Sequence, residues 1–311
     1  MVGRNKTSFF KDIKLRVFGK ISSWQANLFS CGGKEVLIKA VAQAVPAYAM
    51  SVFKLSIGLC DDMQKAIASY WWGSGRDHKS SHWSKWDNLC QAKSRGGLGF
   101  RNLSSFNQTL VAKQNWRIIQ EPESLVARVL KARYFKNSSL MQAQMGSYHS
   151  FIWRSILWGR KVLKKRLHWR IRDGEQLLVY QSQWIPRPIT FQPISPPSLS
   201  PYTTVAELIS EEQKWKEDVI RQHFLKEDVE QILKIPLPRQ PKPDQVLWHY
   251  DKKGNYSVKS GYQVAMKMNF PYKPSCSSEN DKSWHAIWYL QLSKKVKIFM
   301  WRAANNLLAT T

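Results

Sequence analysis

The chain has 311 residues, 43% of them hydrophobic, so it can bury a sizeable core and is long enough for two or three domains. Its 48 lysines and arginines against 22 aspartates and glutamates give a net charge of +26, which predicts a polyanionic partner, with nucleic acid as the first candidate. The N-terminus lacks the apolar core of a signal peptide, so secretion is not expected. The most apolar uncharged run, residues 40–53, is too short to cross a bilayer, so membrane insertion is not expected either.

The first part of the chain predicts three short helices. Apolar residues recur at spacings of three and four over residues 10–24, and a second apolar stripe begins near Ser30 and ends at Pro46. A third stripe covers residues 63–71. Because glycines and a proline separate these segments, the sequence predicts a small helical bundle.

A stretch without helical periodicity follows at residues 74–103, and its many Gly, Ser, Asn and His residues predict irregular structure with at most a short hairpin. The glycines in residues 96–99 predict a tight turn rather than a phosphate-binding loop, because the strand–turn–helix context and the lysine of a P-loop are missing. Helical periodicity resumes at residues 106–117 and again at 124–135, where Ser124 is the expected N-cap.

Residues 150–167 predict an amphipathic helix that begins the most concentrated positive charge in the chain. Between Arg154 and Arg172 lie eight basic residues and no acidic residue. The apolar face of this helix implies that its basic face is displayed on a folded surface, a pattern typical of nucleic-acid binding. A solvated face without a partner and a helix lying on a membrane surface are the alternatives.

Two β-hairpins are predicted further along the chain. Residues 169–186 show two strand patterns around a turn at Asp173 and Gly174, and residues 246–265 show a strand pattern on each side of a turn at 252–255. A helix is expected to begin after the second hairpin, at Ser257 or Ser260.

The six prolines of residues 186–201 mark a linker or an extended surface segment, and hence a domain boundary. Helical patterns follow at residues 205–209 and 215–233, and two more lie between residues 284 and 310. The acidic residues of the 205–233 region make it the least basic part of the chain, so the nucleic-acid surface is expected upstream of it.

Six stretches of the sequence match one known family. They are VGRNK at 2–6, SSWQANLFSCGGKEVLIKAVAQAVPAYAMSVFKL at 22–55, YWWGSGRDHKSSHWSKWDNLCQAKSRGGLGFRNLSSFNQTLVAKQNWRII at 70–119, WRSILWGRKVLKK at 153–165, GNYSVKSGY at 254–262 and WHAIWYLQLSKKVKIFMWRAANNLLAT at 284–310. Together they resemble the region after the polymerase core in plant non-LTR, LINE-type retrotransposon reverse transcriptases. The last two resemble the start of that family's reverse transcriptase zinc-binding domain.

The resemblance and the periodicities together imply a mainly α fold with short β-hairpins. We expect a thumb-like helical bundle at residues 1–73, a basic, Trp-rich and mixed α+β connection region at 74–185, a Pro- and Ser-rich linker at 186–204, and a truncated small C-terminal domain at 205–311. The chain ends before the position of the family's Cys and His zinc ligands, so the resemblance implies a fragment.

The catalytic motif of the family is missing from this chain. A polymerase centre of this kind uses Tyr-x-Asp-Asp and a further aspartate, because carboxylates must hold two divalent metals for in-line attack on a phosphate. Such a motif does not occur in the sequence, and the adjacent pair Asp61 and Asp62 is expected to begin a helix. The resemblance therefore implies no polymerase activity and, with the ribonuclease H domain also absent, no ribonuclease H activity.

A metal site and a complete hydrolase are not expected either. Cysteines 31, 60, 90 and 276 are about 30 or more residues apart, which predicts buried or bystander thiols in a reducing compartment rather than zinc ligands. His78 and His82 are four residues apart, but the serines and glycines around them favour a loop, and no third ligand is near. No cofactor is predicted.

The tryptophans of residues 71–86 have two possible roles. They can fill the core between helices, or stack on exposed bases. Tryptophans elsewhere stand beside aliphatic and basic residues, as in Trp116-Arg117 and Trp153-Arg154, which favours rings that point inward and guanidinium groups that point outward to phosphate.

The sequence thus predicts a non-catalytic reverse transcriptase fragment that binds RNA, DNA or RNA–DNA hybrid through phosphates, without sequence preference. The alternative is a translated pseudogene remnant without selected activity. The family's life cycle implies a nuclear location, and the oligomeric state stays open. The residues predicted to contact phosphate are Lys34, Lys39, Arg154, Arg160, Lys161, Lys164, Lys165 and Arg166.

Overall fold

The computed structural model describes residues 6–25, 28–73, 81–187, 190–240, 242–270 and 279–308. These residues form mainly helices and a short antiparallel β-sheet, which confirms the predicted fold class. The α-helices are α1 Lys6–Ser22, α2 Cys31–Leu37, α3 Ala47–Val52, α4 Ile57–Trp72, α5 Trp86–Leu89, α6 Leu103–Gln120, α7 Leu125–Tyr134, α8 Phe151–Lys164, α9 Glu217–His223, α10 Lys226–Leu233, α11 Val258–Asn269, α12 Glu279–Tyr289 and α13 Lys294–Ala304.

The chain divides into two compact units. The first unit comprises residues 1–114, 145–159 and 262–311, and the second unit comprises residues 115–144 and 160–261. The four sequence-based domain limits stay predictions.

Serine side chains cap two helices of the first unit. The cap at Ser30 lies where the sequence predicts a helix start, whereas α4 is capped at Ser56, before the predicted apolar stripe at residues 63–71. The Ser30 hydroxyl accepts a hydrogen bond from the Gly33 amide at the start of α2, and the Ser56 hydroxyl accepts one from the Leu59 amide at the start of α4. Gly73 ends α4 with a φ of 81°, in the left-handed region that a glycine adopts without a steric cost.

Pro46 does not act only as a helix breaker. The predicted helix from Ser30 continues from α2 into a π-helical turn, Ile38–Ala42, and the backbone then turns at Pro46 into the additional helix α3. The Met50 amide donates to the Pro46 carbonyl at the start of that helix. Proline is tolerated there because the first residues of a helix need no amide donor.

The first unit buries both apolar and polar side chains. Trp71, Met63 and Ile67 of α4 are almost fully buried, as are Leu98 and Phe100 of the glycine turn. The core also contains a fully buried amide, that of Asn107 on α6. Its Nδ2 donates to the Met50 and Phe53 carbonyls, each over 2.7 Å, and its Oδ1 accepts from the Leu55 amide over 2.8 Å.

Of the stretch predicted to be irregular, residues 74–80 lie outside the described residues. Residues 81–103 are largely irregular, as predicted, but they include α5 and a 3₁₀ turn, Lys93–Arg95. The predicted tight turn at the glycines is confirmed. Gly96 and Gly99 have φ values of 80° and 69°, and a Cβ on Gly97 would stand 2.1 Å from the Gln91 carbonyl oxygen.

The second unit pairs its strands differently from the sequence prediction. Strand β1, Leu167–Arg170, is antiparallel to β2, Gln245–Trp248, with Leu167 opposite Trp248 and Arg170 opposite Gln245. Each predicted hairpin thus contributes one strand to a single long-range sheet, and the prediction of two local hairpins is wrong.

Hydrogen bonds explain why the first predicted hairpin does not form. The Asp244 carboxylate, beside β2, accepts from the Arg172 amide over 2.7 Å and from the Gly174 amide over 3.1 Å. The chain after this turn pairs with later residues, since the Val179 amide donates to the Thr203 carbonyl. In the second predicted hairpin a turn follows β2, but no return strand forms in the described residues before α11. That helix begins at Val258, which confirms the predicted start at Ser257.

The Pro- and Ser-rich segment makes specific contacts inside the second unit. The fully buried Asp228 of α10 accepts from the Ile194 amide over 2.9 Å, from the Ser195 amide over 2.8 Å and from the Ser195 hydroxyl over 2.6 Å. It also pairs with the Arg187 guanidinium. The predicted helices around it are present as a 3₁₀ turn, Val205–Leu208, and as α9 and α10.

Candidate nucleic-acid interface

Helix α8 separates apolar from basic side chains, as its sequence predicts. The Ser150 hydroxyl accepts from the Trp153 amide at the start of the helix. Trp153, Val162 and Leu163 are fully buried, whereas Arg154, Lys161, Lys164 and Lys165 are exposed. Arg154 belongs to the first unit, and the other basic residues of this stretch belong to the second.

The exposed lysines at the end of α8 have no carboxylate partner among the described residues. No ion pair between described residues involves Lys161, Lys164 or Lys165. Burial, followed by the nearby charge of Arg160, lowers the pKa of Lys164. We call Lys161, Lys164 and Lys165 the α8 lysine cluster, and it can present uncompensated positive charge to a polyanion.

Arg160 has a structural role in the second unit. Its Nη1 donates to the Leu140 carbonyl over 2.6 Å and to the Ala143 carbonyl over 2.8 Å, and burial lowers its pKa. The side chain is half-buried and holds the 140–143 segment in place.

Arg166 lies beside an aromatic group at the end of the basic stretch. Its guanidinium carbon is 5.8 Å from the centre of the Tyr250 ring, and its carbonyl accepts from the His249 amide. Nearby, the His168 ring stacks on Phe191 with 4.8 Å between ring centres. Burial, then the charges of His249 and Arg170, lower the pKa of His168 to about 4.

The structure places Lys34 and Lys39 inside the first unit. Lys39 donates to the Glu35 carboxylate over 2.6 Å and to the Leu98 carbonyl over 2.7 Å. Lys34 is 8% exposed, its Nζ lies 5.7 Å from the centre of the Tyr70 ring, and burial lowers its pKa. Both ammonium groups therefore serve contacts within the first unit.

Sequence reasoning did not identify Glu35 as the partner of Lys39. Its carboxylate accepts from Lys39 and lies 2.9 Å from the Lys93 ammonium. Burial raises the pKa of Glu35, but the hydrogen bonds and charges of the two lysines outweigh it and hold the pKa below its usual range. The i, i+4 spacing of Glu35 and Lys39 is the signal that indicates this pair.

The tryptophans are mainly core residues. Trp71 is 1% exposed and meets Phe100 edge to face, and Trp86 stacks on the same phenylalanine with 5.2 Å between ring centres. In contrast, Trp83 is 51% exposed.

The predicted division between inward rings and outward guanidinium groups is confirmed in two tryptophan–arginine pairs. Trp116 and Trp153 are buried, and the arginines that follow them, Arg117 and Arg154, are exposed.

The described residues contain no group of three or more His, Cys, Asp and Glu side chains that could hold a metal ion. His82 stacks beside Trp72, whereas His78 and Cys276 lie outside the described residues. Asp62 pairs with Lys14 over 2.6 Å, and burial raises the pKa of the Cys60 thiol to about 12.

No helix in the described part of the chain is long and apolar enough to cross a membrane.

Comparison with known proteins identifies two relatives in Arabidopsis thaliana. The chain is 44% identical over 143 residues to "Uncharacterized mitochondrial protein AtMg00310", a match that covers 46% of this chain and 93% of that protein. It is 27% identical over an alignment of 314 residues to "Putative ribonuclease H protein At1g65750", which covers 97% of this chain and 49% of that protein. The chain thus spans about half the length of the second relative.

No protein-family model matches the chain, and no solved structure matches it. The match to the mitochondrial protein covers nearly all of that protein at high identity. The chain therefore belongs to the same family as the uncharacterized mitochondrial protein AtMg00310 of Arabidopsis thaliana.

Proposed function

We propose that this chain binds RNA or DNA through the phosphate backbone, without sequence preference, and that the α8 lysine cluster provides the central contacts. The observation that carries the proposal is the exposure of Lys161, Lys164 and Lys165 on a chain of net charge +26, with no carboxylate paired to them among the described residues. Lysine ammonium groups neutralise phosphates and release condensed counterions, a gain that does not depend on base sequence.

The packing of α8 supports a fixed basic surface rather than a mobile basic tail. Val162 and Leu163 are fully buried between the lysines of the cluster. The backbone of the helix is therefore held, and binding orders only the side-chain ends of the lysines. Arg166 extends the cluster, and Arg154 adds an exposed charge on the first unit.

Two similarities support an origin in a reverse transcriptase. The six sequence stretches resemble the region after the polymerase core of LINE-type elements, and a relative that aligns with almost the whole chain is named a ribonuclease H, an enzyme class that acts on nucleic acid. We infer that the chain derives from such an element and contributes binding rather than chemistry.

The test is the binding of the purified chain to labelled RNA, duplex DNA and RNA–DNA hybrid across a salt series. The variant Lys161→Ala/Lys165→Ala removes two phosphate contacts, so the slope of log affinity against log salt should become shallower by about 2 on duplex DNA. Circular dichroism confirms that the variant is folded.

Lys226→Ala/Lys234→Ala is the matched control, because it removes the same charge from exposed lysines on or beside α10. The proposal expects this control to keep the slope of the unmodified chain. Equal slopes for the two variants would show diffuse attraction by net charge and would refute the assignment to α8. A folded chain that does not bind even at low salt would favour the inert remnant.

A further inference from the structure

The second unit contains a cavity of about 690 Å³ beside the α8 lysine cluster. Its lining includes the side chains of Phe135, Leu140, Leu167 and Leu177, all of them buried apolar residues. The half-buried Trp169 also lines the cavity, two residues after Leu167 on β1. The volume is in the range of sites that hold small organic ligands, roughly 300 to 1,000 Å³.

The polar lining of this cavity is cationic and rich in amides. Two lysines, Lys131 and Lys164, contribute to it, and no described aspartate or glutamate does. Glutamine and serine side chains provide both hydrogen-bond donors and acceptors. The glutamines are Gln142, Gln176, Gln181, Gln183 and Gln192.

Contacts already described hold the walls of the cavity. Arg160 donates to the Leu140 and Ala143 carbonyls, and so fixes the segment that contributes one wall. On another wall the Trp169 amide donates to the Gln183 carbonyl over 2.6 Å, and Trp169 lies opposite Val246 in the sheet. The site is thus built by the folded unit before any ligand arrives.

Lys164 belongs both to the cavity and to the α8 lysine cluster. A strand whose phosphates lie on the cluster would therefore place its bases at the mouth of the cavity. An aromatic ring, an apolar lining, amide groups and the absence of carboxylates fit a flat, hydrogen-bonding base attached to a phosphate. A base within a duplex is stacked and paired, and it cannot enter.

We infer that this cavity binds one unstacked base of a single-stranded nucleic acid, with Trp169 as the stacking surface and Lys131 and Lys164 beside the adjoining phosphates. The inference rests on the proposed phosphate-binding function and adds to it a preference for single strands over duplexes.

The test compares labelled single-stranded DNA with a duplex of the same length at one salt concentration. Single strands should bind on the order of tenfold more tightly, which corresponds to the stacking of one base. Ser138→Trp blocks the cavity from an exposed position and should abolish this difference. Gln222→Trp, at an exposed polar residue on α9 that does not line the cavity, should keep it.

A competition experiment separates the base from the phosphate. Adenosine monophosphate should displace the labelled single strand from the unmodified chain at concentrations at which ribose 5-phosphate does not. The Ser138→Trp variant should lose this difference between the competitors. Equal displacement by both competitors would overturn the inference.

The outcomes distinguish the two proposals. If Ser138→Trp and Gln222→Trp bind single strands equally while Lys161→Ala/Lys165→Ala still lowers the salt slope, the cavity inference fails and the phosphate-binding function stands. If the lysine variant also has no effect, the proposed function fails with it.

Discussion

The substitution Asn107→Leu should strongly destabilise the first unit. The Asn107 amide is fully buried and satisfies three backbone groups, the carbonyls of Met50 and Phe53 and the amide of Leu55. Leucine has a similar volume but neither donates nor accepts a hydrogen bond. Each orphaned buried group costs roughly 1 to 3 kcal/mol, and since leucine adds some apolar burial, we expect a net loss of about 3 to 6 kcal/mol.

The assay is urea unfolding followed by circular dichroism, together with amide hydrogen exchange. Asn137→Leu, on an exposed residue, is the matched control and should change the free energy of unfolding by less than about 0.5 kcal/mol. Hydrogen exchange should accelerate selectively at the Leu55 amide in Asn107→Leu. If Asn107→Leu is as stable as the control, the buried amide is not what fixes the 50–55 segment, and the reasoning is refuted.

Two further changes test local features of the fold. Burial lowers the pKa of His168 to about 4, so the imidazole stays neutral in the folded state. In the unfolded chain the same imidazole takes up a proton near its ordinary pKa of about 6.5. The free energy of unfolding should therefore fall as the pH drops from about 6.5 towards 4. His168→Phe should flatten that part of a stability–pH curve, and an unchanged curve would contradict it. Gly97→Ala should cost roughly 1 to 3 kcal/mol in thermal unfolding, since its Cβ would stand 2.1 Å from the Gln91 carbonyl oxygen; Gly58→Ala, which meets nothing within 4 Å, is the control.

Cooperative unfolding bears on the choice between a nucleic-acid-binding protein and an inert remnant. The unmodified chain is expected to melt cooperatively if its core is specific, and the buried hydrogen bonds of Asn107 indicate such a core. An inert remnant without selection would not be expected to keep a cooperative transition or a localised salt dependence. The melting experiment and the binding experiment together therefore distinguish a nucleic-acid-binding fragment from an inert remnant.

The sequence by itself determined the local features of this protein. The serine caps of α2 and α7, the glycine turn at residues 96–99 and the amphipathic α8 lie where the sequence predicts them. The caps and the helix faces depend on groups three or four residues apart, so a sequence window contains all the information they need. The glycine turn is local in the same way, because it needs positive φ values that glycine adopts without a steric cost.

Only the tertiary structure decided which distant groups meet. Strands β1 and β2 pair across more than seventy residues because Asp244 satisfies the turn that would otherwise close a hairpin. The residues predicted to contact phosphate also differ in their tertiary partners. Lys39 and Arg160 donate hydrogen bonds to the Leu98 and Leu140 carbonyls. Lys161 and Lys165, in contrast, pair with no carboxylate among the described residues. Charge is visible in a sequence, but whether a charged group is available to a ligand depends on partners that only folding brings within hydrogen-bond distance.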